Sequence, residues 1–480
     1  MAQLVRHERL VILRHAGELH PLRRSRRCGV APGFGSLALE NPGEQPRNYR
    51  HLQNENLSFA PTPNEAIASC AGHKRSDRLF WGQRRKRSLR LRDNDVRTTG
   101  RHERSTVAGE GVDAFVPFPL PPKDPPLDLR PLEPLLARAH ERLGLLEVAG
   151  DLVPSVEWFV YAFVRKEAVL SAQIEGTQAT LMDLLEVEAS GEPADADVEE
   201  ICGYVDALQF AWGELGRAEG LPLSVRLLSE THAHLLRGAR GAQRQPGEVR
   251  RSQNWIGGTR PGNAAFVPPP PHRLGELLAE LERYVHDESD LPPIVRVGLL
   301  HVQFETLHPY LDGNGRLGRL LITLLLRHWG LLTRPLLYLS SFLKTHRREY
   351  YRRLDAVREA GDWEGWLAFF LEGVAVVADE AVVTARRLYL VVSESRKRLL
   401  ARDDATVLSL RLFEQLPEHP ILNVNRIVEL LECSRPAAAK AVRVLESAGV
   451  VRTLDARKKN RTVVFDEYLA LLRQGTELGA

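Results

Sequence analysis

A chain of 480 residues with 26% charged and 43% hydrophobic residues is too long for one compact domain and too apolar for wholesale disorder. Its four cysteines (Cys28, Cys70, Cys202 and Cys433) stand far apart, which excludes a disulfide scaffold and a thiolate zinc site. The formal net charge of +3 combines +10 in residues 1–110 with −7 in the remainder, so the main body is mildly acidic. No apolar run reaches the ~18 residues that a membrane span needs. We therefore expect a cytoplasmic protein without membrane attachment.

The first segment, residues 1–110, has no sustained hydrophobic period and is rich in arginine, glycine and proline. Such a segment buries too little apolar surface to offset the entropy of the chain, so we expect disorder. It could be a basic arm for anionic polymers or a solvated tail. The only methionines are Met1 and Met182. A start at a non-ATG codon, such as that of Val107 or Val112, would leave the preceding residues untranslated.

Order is expected from Gly111, where a proline-rich extended strap precedes a helical body. The apolar spacing predicts helices over 129–148, 155–188, 198–218, 221–238, 273–287, 292–308, 316–329, 347–360 and 363–398. Strand signals in this region are confined to 250–271, where two extended runs flank Gly257-Gly258, a hairpin candidate.

Chemistry is concentrated in HVQFETLHPYLDGNGRLGRLLITLLLRHWG, residues 301–330. A glycine-flanked turn that leads into a helix at Arg316 exposes backbone N–H groups and forms an anion site. Arg316 and Arg319 share one face of that helix, where two cations oppose the helix dipole unless an anion binds. Asp312 is a hard oxygen ligand suited to Mg²⁺, and His308 can accept a proton near neutral pH. The segment predicts a polyphosphate site beside a base.

Two other interpretations of this segment are weaker. Gly313–Gly318 matches G-x-G-x-x-G, but the preceding residues are helical and no acidic residue follows about 20 positions on, so a dinucleotide fold is not indicated. His301, Glu305 and His308, at i, i+4 and i+7, could hold zinc. The alternative for His301 is a core histidine.

HPYLDGNGRLGR, residues 308–319, resembles the H-P-F-x-[DE]-G-N-G-R-x-x-R signature of Fic-domain proteins, which transfer AMP from ATP to hydroxyl groups of proteins. Tyr310 stands where the family has Phe, and the resemblance spans roughly residues 111–390. It implies that His308 is the general base and that Asp312 holds Mg²⁺. It also implies an anion hole and two phosphate-binding arginines, formed by Gly313, Asn314, Gly315, Arg316 and Arg319.

Two further stretches are similar to parts of that family. Ser171, Glu175 and Gly176 resemble the inhibitory motif [ST]-x-x-x-E-[GN], in which the glutamate takes the second motif arginine, here Arg319, from the γ-phosphate. Without that resemblance, Glu175 would be a solvated or capping acid. The hairpin 250–271 resembles the Fic flap, which holds a protein substrate by backbone pairing; an ordinary connecting hairpin is the alternative.

An adenine base needs an apolar or aromatic slot. Leu337–Phe342, Tyr350, Tyr351 and Trp363 are candidates by position, although each is also explained as core.

After Leu400 the pattern changes to helix, strand, helix, turn, helix and two paired strands, which resembles a winged helix-turn-helix. That resemblance implies DNA contacts, for which the basic candidates are Arg435, Lys440, Arg443 and Lys458. Packing, dimerisation and target capture are the alternatives.

The fold expected is mainly α, a Fic helical core with a β-hairpin flap and a small C-terminal winged-helix domain. We divide the chain into a disordered tail (1–110), an N-terminal region with the inhibitory helix (111–197), a catalytic core (198–398) and the winged helix (399–472). The resemblance implies a self-inhibited protein adenylyltransferase that uses ATP and Mg²⁺ on hydroxyls of target proteins or of itself, with room for a homodimer. Removal of AMP at the same site, and a DNA-binding regulator that uses the Fic body as a nucleotide sensor, are alternatives.

Overall fold

The computed structural model describes residues 97–107, 109–151, 155–191, 194–238, 241, 243–454 and 461–478. Within them the chain forms fifteen α-helices and five short strands, which confirms the expectation of a mainly α protein. None of the helices in this described part is long and apolar enough to cross a bilayer.

The described structure begins with a hairpin of β1 (Gly100–Val107) and β2 (Glu110–Pro117), antiparallel from Gly100↔Pro117 to Val107↔Glu110. The prediction of a disordered tail over 1–110 is therefore wrong for the part that the structure describes, and residues 1–96 lie outside the described residues. The polar sequence of β1 gave no signal because the strand is held by pairing with β2, whose Val112 and Ala114–Pro117 are buried. A start at Val107 or Val112 would remove β1 and leave β2 unpaired.

Arg97 fixes the beginning of this hairpin to the helical body. Its guanidinium is bidentate to Glu364, with both N–O distances at 2.9 Å. It also donates to the carbonyls of Pro125, Pro126 and Gly361 at 2.7, 3.0 and 2.9 Å. A buried guanidinium that uses its donors in this way ties three segments of chain together.

Eleven helices build the body: α1 (Glu133–Asp151), α2 (Val156–Glu175), α3 (Leu181–Ser190), α4 (Ala196–Gly216), α5 (Val225–Leu235), α6 (Pro271–His286), α7 (Pro293–Leu307), α8 (Asn314–His328), α9 (Ser340–Thr345), α10 (Arg347–Ala360) and α11 (Trp363–Leu400). Short 3₁₀ turns lie at Arg130–Leu132 and Pro261–Asn263. Helix α9 was not predicted, because six residues are too few for a helical period.

Helices α2 and α7 form the centre of the body. Every residue of α7 from Ile294 to Leu307 is buried, and α2 is buried from Ala162 to Ile174. Burial on all sides is the mark of a core helix. Helix α8 packs on both of them, and the long α11 runs along α1. The ends of α2 and α7 and the start of α8 are thereby brought together.

The single helix predicted over 155–188 is two helices. Gly176 takes φ 104°, a left-handed conformation that glycine adopts without a steric penalty, and it ends α2. Thr180 then caps α3 in a reciprocal capping box with Asp183. Apolar periodicity continues across the break, which explains why the sequence concealed it.

The predicted hairpin at 250–271 is present as a loop with one antiparallel bridge, between Ile256 and Phe266. Ile256 N donates to Phe266 O at 2.8 Å, and Phe266 N donates back to Ile256 O at 3.1 Å. We call residues 250–271 the flap. Its second arm is supported from outside, since Phe115 N of β2 donates to Val267 O at 2.9 Å.

The C-terminal module contains α12 (Val407–Gln415), β3 (Ile421–Asn423), α13 (Val424–Leu431), α14 (Arg435–Ser447), β4 (Arg452–Thr453), β5 (Thr462–Val464) and α15 (Asp466–Leu472). Its three strands pair in the order β3-β5-β4, all antiparallel. The elements follow in the predicted order, and α15 is an addition that the sequence pattern did not indicate.

The C-terminal module packs directly on the helices of the body. Helix α15 lies against α11, and Asn423 Nδ2 donates to Ala189 O of α3 at 2.8 Å. The segment after α15, residues 475–477, contacts the last turn of α2: Gln173 Nε2 donates to Thr476 O at 2.8 Å. Lys344 Nζ also donates to the carbonyls of residues 475 and 477, at 3.3 and 3.0 Å. We call residues 475–477 the C-terminal latch.

Candidate active site

The glycine-rich loop between α7 and α8 is closed by one asparagine. Helix α7 ends at His308, which has φ 45° and ψ 59°, a conformation rare for a residue with a side chain. Asn314, at the start of α8, accepts from Tyr310 N at 2.9 Å and donates to Tyr310 O at 2.8 Å. Because these bonds occupy its side chain, Asn314 can offer an anion only its backbone N–H.

Arg319 is almost completely buried and binds the end of α2. Its Nε donates to Ser171 Oγ at 2.9 Å, and its Nη2 donates to Ser171 O at 3.0 Å and to Glu175 Oε1 at 2.8 Å. The predicted pair between Glu175 and Arg319 is therefore formed. Burial by itself would lower the pKa of Arg319, but Glu175, together with Tyr350, Glu305 and Tyr351, outweighs it and raises that pKa.

Glu175 occupies the space in front of the N-terminus of α8. Burial alone would raise its pKa, but Arg319, with Arg316 and His308, holds the pKa of the carboxyl below its usual value. Gly315 permits this approach, because a Cβ at that position would clash with Glu175 Oε1. A carboxylate thus lies where a helix N-terminus attracts anions. Gly176, the third residue of the predicted motif, ends the helix immediately behind Glu175.

Arg316 is a buried cation with weak partners. Its side chain is 6% exposed, and its guanidinium lies 3.6 Å from Glu200 Oε2 and 3.9 Å from Asp312 Oδ1. Its Nε and Nη1 atoms donate no hydrogen bond to the part of the chain that the structure describes. Buried donors without acceptors are costly, so this arginine fits a site that takes up an anionic ligand.

His308 is a neutral imidazole. Burial, followed by the neighbouring Arg358, lowers its pKa to about 4, and Glu175 partly opposes this effect. Its Nδ1 is buried and has no hydrogen-bond partner among the described residues. A base that is already neutral at pH 7 can take a proton from a hydroxyl group.

Asp312 presents a half-exposed carboxylate at the edge of the loop, with Oδ1 accepting from Gly313 N at 2.7 Å. Its carbonyl lies 2.9 Å from His232 Nε2. Since His232 Nδ1 accepts from Gly247 N at 2.9 Å, Nε2 carries the hydrogen and donates it to Asp312. His232 also stacks on Tyr310 with ring centroids 3.9 Å apart. His232, which the sequence did not single out, thus holds the loop through Asp312 O and the Tyr310 ring.

Arg250 joins the flap to the same loop. It is 1% exposed, its backbone N donates to Pro309 O, and its Nε donates to His308 O, both at 2.9 Å. Its Nη2 donates to Pro269 O at 2.7 Å. Arg250 therefore links the two ends of the flap to each other and to the backbone of His308.

Comparison with known proteins agrees with this arrangement. Residues 134–213 match a family model described as Fic/DOC family N-terminal, and residues 222–326 match one described as Fic/DOC family. Over these two ranges, the chain is similar to the Fic/DOC family.

Curated relatives of the chain include protein adenylyltransferase Fic from Drosophila yakuba and from Drosophila melanogaster, each 29% identical over 208 residues. The match covers 42% of this chain, and 38% and 39% of those relatives' length. A solved Fic family protein from Desulfovibrio desulfuricans G20 is 20% identical, over 71% of this chain and 97% of that one, with a TM-score of 0.47. Fic-1 from C. elegans is 21% identical, over 53% and 72%, with a TM-score of 0.42.

The zinc interpretation of the Fic helix α7 is wrong. Both ring nitrogens of His301 are occupied, since Nδ1 lies 3.0 Å from Gly318 O and Nε2 lies 2.9 Å from the Tyr350 hydroxyl. Burial lowers the pKa of His301 to about 3. In the described ranges, no group of three or more His, Cys, Asp or Glu residues could hold a metal ion. His301 is a core histidine.

The remaining predicted residues lie near Arg319, in the core or in the C-terminal module. Tyr351 is close enough to Glu175 and Arg319 for their charges to act on its pKa, which burial raises. Of the adenine candidates, Tyr351 is exposed, whereas Tyr350 and Trp363 are buried, as is the 337–342 segment except Ser341. Arg435, Lys440 and Arg443 lie exposed on α14, where Arg435 Nη2 donates to Asn425 Oδ1. Lys458 lies outside the described residues. Sequence reasoning missed Arg250, because nothing local distinguishes it from the exposed Arg251 beside it.

Proposed function

We propose that this Fic protein transfers AMP from ATP to a hydroxyl group of a protein, and that Glu175 holds it inactive. The observation that carries the proposal is the position of two buried arginines at the N-terminus of α8, beside a neutral His308. A triphosphate supplies the anions that both arginines and the backbone N–H groups need. The relatives named protein adenylyltransferase Fic support the same chemistry.

The reaction joins the hydroxyl oxygen of the target to the α-phosphorus of ATP, and the bond from that phosphorus to the bridging oxygen of pyrophosphate breaks. His308 Nε2 takes the hydroxyl proton and later releases it to solvent. Arg316 and Arg319 stabilise the charge that moves onto the pyrophosphate. Asp312 is the residue that would hold Mg²⁺, because one partly exposed carboxylate suits an ion that keeps several waters. The ion would supply charge neutralisation on the phosphates.

Self-inhibition follows from competition for one guanidinium. While Glu175 binds Arg319 at 2.8 Å, the γ-phosphate cannot use the same donor, and the nucleotide is displaced from its productive position. Because Glu175 belongs to the same chain, the inhibition needs no partner. The flap would place the protein substrate above His308, with backbone pairing that tolerates varied side chains.

The test is transfer of labelled AMP from ATP, to the protein itself and to proteins of a lysate. In the Glu175→Gly background, which removes the proposed inhibition, His308→Ala should lower transfer by ~10²–10⁴-fold and leave ATP binding nearly unchanged, because a positioned base acts on the rate. His140→Ala is the matched control, since His140 lies on α1 and its Nδ1 bonds Leu136 O of its own helix. Transfer by His308→Ala in that background above about a tenth of the Glu175→Gly rate would rule out His308 as the base.

A second candidate function rests on α14, whose Arg435, Lys440 and Arg443 face solvent. We propose that they bind the phosphates of DNA. Reversing the charge at Lys440 or Arg443 should flatten the salt dependence of DNA retention by about one unit for each lost contact. Lys397→Glu, on the exposed surface of α11, should leave the slope unchanged. No retention by the wild type at ~50 mM salt would assign the module to packing or target capture instead.

A further inference from the structure

One buried arginine connects the flap to the helix that carries His308. Arg358 lies near the end of α10, and its side chain is 9% exposed. Its Nε donates to Thr306 Oγ1 at 3.2 Å, two residues before His308. Its guanidinium carbon lies 4.1 Å from the ring centroid of Phe266, in the second arm of the flap. At that distance a guanidinium and an aromatic face attract each other.

Phe266 also packs beside a second aromatic ring. The ring of Phe115 in β2 lies 6.1 Å away, centroid to centroid, in a tilted packing. Phe266 is also the residue that forms the only antiparallel bridge of the described flap, with Ile256. Phe266 therefore connects Arg358 to the flap, which Arg250 and the bond from Phe115 N to Val267 O also hold in place.

Arg358 also acts on His308 through its charge. The groups around His308 are Arg358 from α10, Arg250 from the base of the flap, Glu175 from α2 and the carbonyl of Glu305 from α7. After burial, Arg358 contributes most to the low pKa of His308, with Arg250 adding to it and Glu175 opposing it. The carboxylate that pairs with Arg358, Asp355, is half-exposed, so solvent screens that pair more than it screens the interaction with His308.

We propose that Arg358 is a positioning residue: through Phe266 it holds the flap at a fixed height over His308, and so places the hydroxyl group of the protein substrate. This inference rests on the proposed function. It separates two acceptors of AMP, because a protein segment needs the flap for its placement and a water molecule does not.

The test compares Arg358→Gln, Arg358→Lys, Phe266→Leu and the double variant Arg358→Gln/Phe266→Leu. Three quantities are measured: self-transfer of labelled AMP, release of AMP into water, and hydrogen exchange of the flap without nucleotide. Arg352→Gln is the matched control, since it removes the same charge from an exposed position on α10, and its partner Glu349 keeps Arg353.

Arg358→Gln should lower self-transfer by at least tenfold, since a displacement of about 1 Å costs on the order of 10²-fold in rate. Release of AMP into water should fall less, the KM for ATP should stay within about twofold, and the flap should exchange faster. Phe266→Leu should act in the same direction, and the double variant should be no worse than Arg358→Gln, because both changes break one contact.

The pH dependence separates the two effects of Arg358. Loss of its charge raises the pKa of His308, so the acidic limb of the rate profile should move to higher pH in Arg358→Gln. It should stay in place in Arg358→Lys and Phe266→Leu. Arg358→Lys should still show the faster flap exchange, since an ammonium cannot stack on the ring as a planar guanidinium does.

Additive losses in the double variant, or a raised KM for ATP with unchanged flap exchange, would overturn the inference and make Arg358 a nucleotide contact. Should Glu175→Gly, which removes the proposed inhibition, also fail to transfer AMP, the proposed function fails, and flap exchange alone then decides whether Arg358 positions the flap. Phe266→Leu carries the comparison if Arg358→Gln does not fold.

Discussion

Arg319 directs most of its hydrogen-bond donors at one helix end, two toward Ser171 and one toward Glu175. The contact to Glu175 is the one that a phosphate can replace, because Ser171 is neutral and completely buried. At the scale of single residues, the proposed inhibition depends on one carboxylate oxygen in front of Gly315.

Glu175→Gly should raise self-transfer by one or more orders of magnitude. The change frees Arg319 for the γ-phosphate, and a correction of about 1 Å in the position of the nucleotide is worth on the order of 10²-fold in rate. Labelled ATP measures the gain. Arg319→Ala combined with Glu175→Gly should lose it, because the phosphate then has no guanidinium to bind. Equal or lower transfer by folded Glu175→Gly would leave Glu175 as a structural acid or as a residue that aligns water for AMP removal.

The sequence predicted the members of the loop, because His308, Asp312, Arg316 and Arg319 stand close together in a recognisable spacing. It predicted Glu175 only through a family resemblance, since 144 positions separate it from its partner. Arg250, Arg358 and His232 could not be predicted. Whether a polar side chain is buried depends on segments distant in sequence, and hydropathy counts each of these residues as exposed.

At the scale of elements, the hairpin β1–β2 is part of the support for the flap. Phe115 of β2 packs beside Phe266. Glu110, the first residue of β2, accepts a hydrogen bond from Gly262 N at the tip of the flap, at 2.9 Å. The hydropathy pattern found the long helices because their apolar faces repeat. It missed the hairpin, whose first strand is polar, and the break at Gly176, where the apolar period does not change.

Arg97→Ala should lower the free energy of unfolding by about 3 kcal/mol, because it leaves Glu364 without its partner and three carbonyls without a donor. The melting temperature, followed by circular dichroism, measures this loss. Arg101→Ala, at an exposed position of β1, should have almost no effect. An unchanged melting temperature for Arg97→Ala would mean that the hairpin is not fixed to the body through this residue.

Truncation after Arg473 should raise self-transfer, though by less than Glu175→Gly. The truncation removes the C-terminal latch, whose carbonyls bind Gln173 and Lys344, and so loosens the turn of α2 that carries Glu175. Hydrogen exchange of residues 171–178 should increase in parallel. Leu478→Ala is the control, because Leu478 is exposed and follows the latch, whose carbonyls the change keeps. Faster exchange without a gain in transfer would separate the latch from inhibition.

At the scale of the whole molecule, several buried titratable groups link stability to pH. Burial lowers the pKa of His232, His308 and His419 to about 4, and that of His301 to about 3. From pH 6.5 downward the unfolded chain binds protons that these histidines refuse, so acid destabilises the fold. Glu167 and Glu305 have the opposite effect on stability. Burial raises their pKa to about 7, so as the pH falls the folded chain binds these protons before the unfolded chain does, and the fold is stabilised.

The melting temperature should therefore fall between pH 7 and pH 5, because four histidines outweigh two glutamates. Each kcal/mol lost should lower it by about 2–4 °C. Glu305→Gln should make the fall steeper, since it removes one of the two opposing groups. A melting temperature that rises toward pH 5 would show that the glutamates dominate.

Helix α11 links the position of the flap to the position of the C-terminal module. Its 38 residues form a rod of about 57 Å that starts in the Fic core, beside Gly361, and ends at the C-terminal module, with no hinge between them. If α14 binds a DNA duplex, the flap lies at a fixed distance from the DNA and in a fixed orientation to it. Proteins that occupy the neighbouring stretch would then meet the flap at a high effective concentration, whatever their sequence. The DNA site, rather than the sequence of the substrate, would decide which proteins are modified. Binding at different DNA sites would bring different proteins to the same active site.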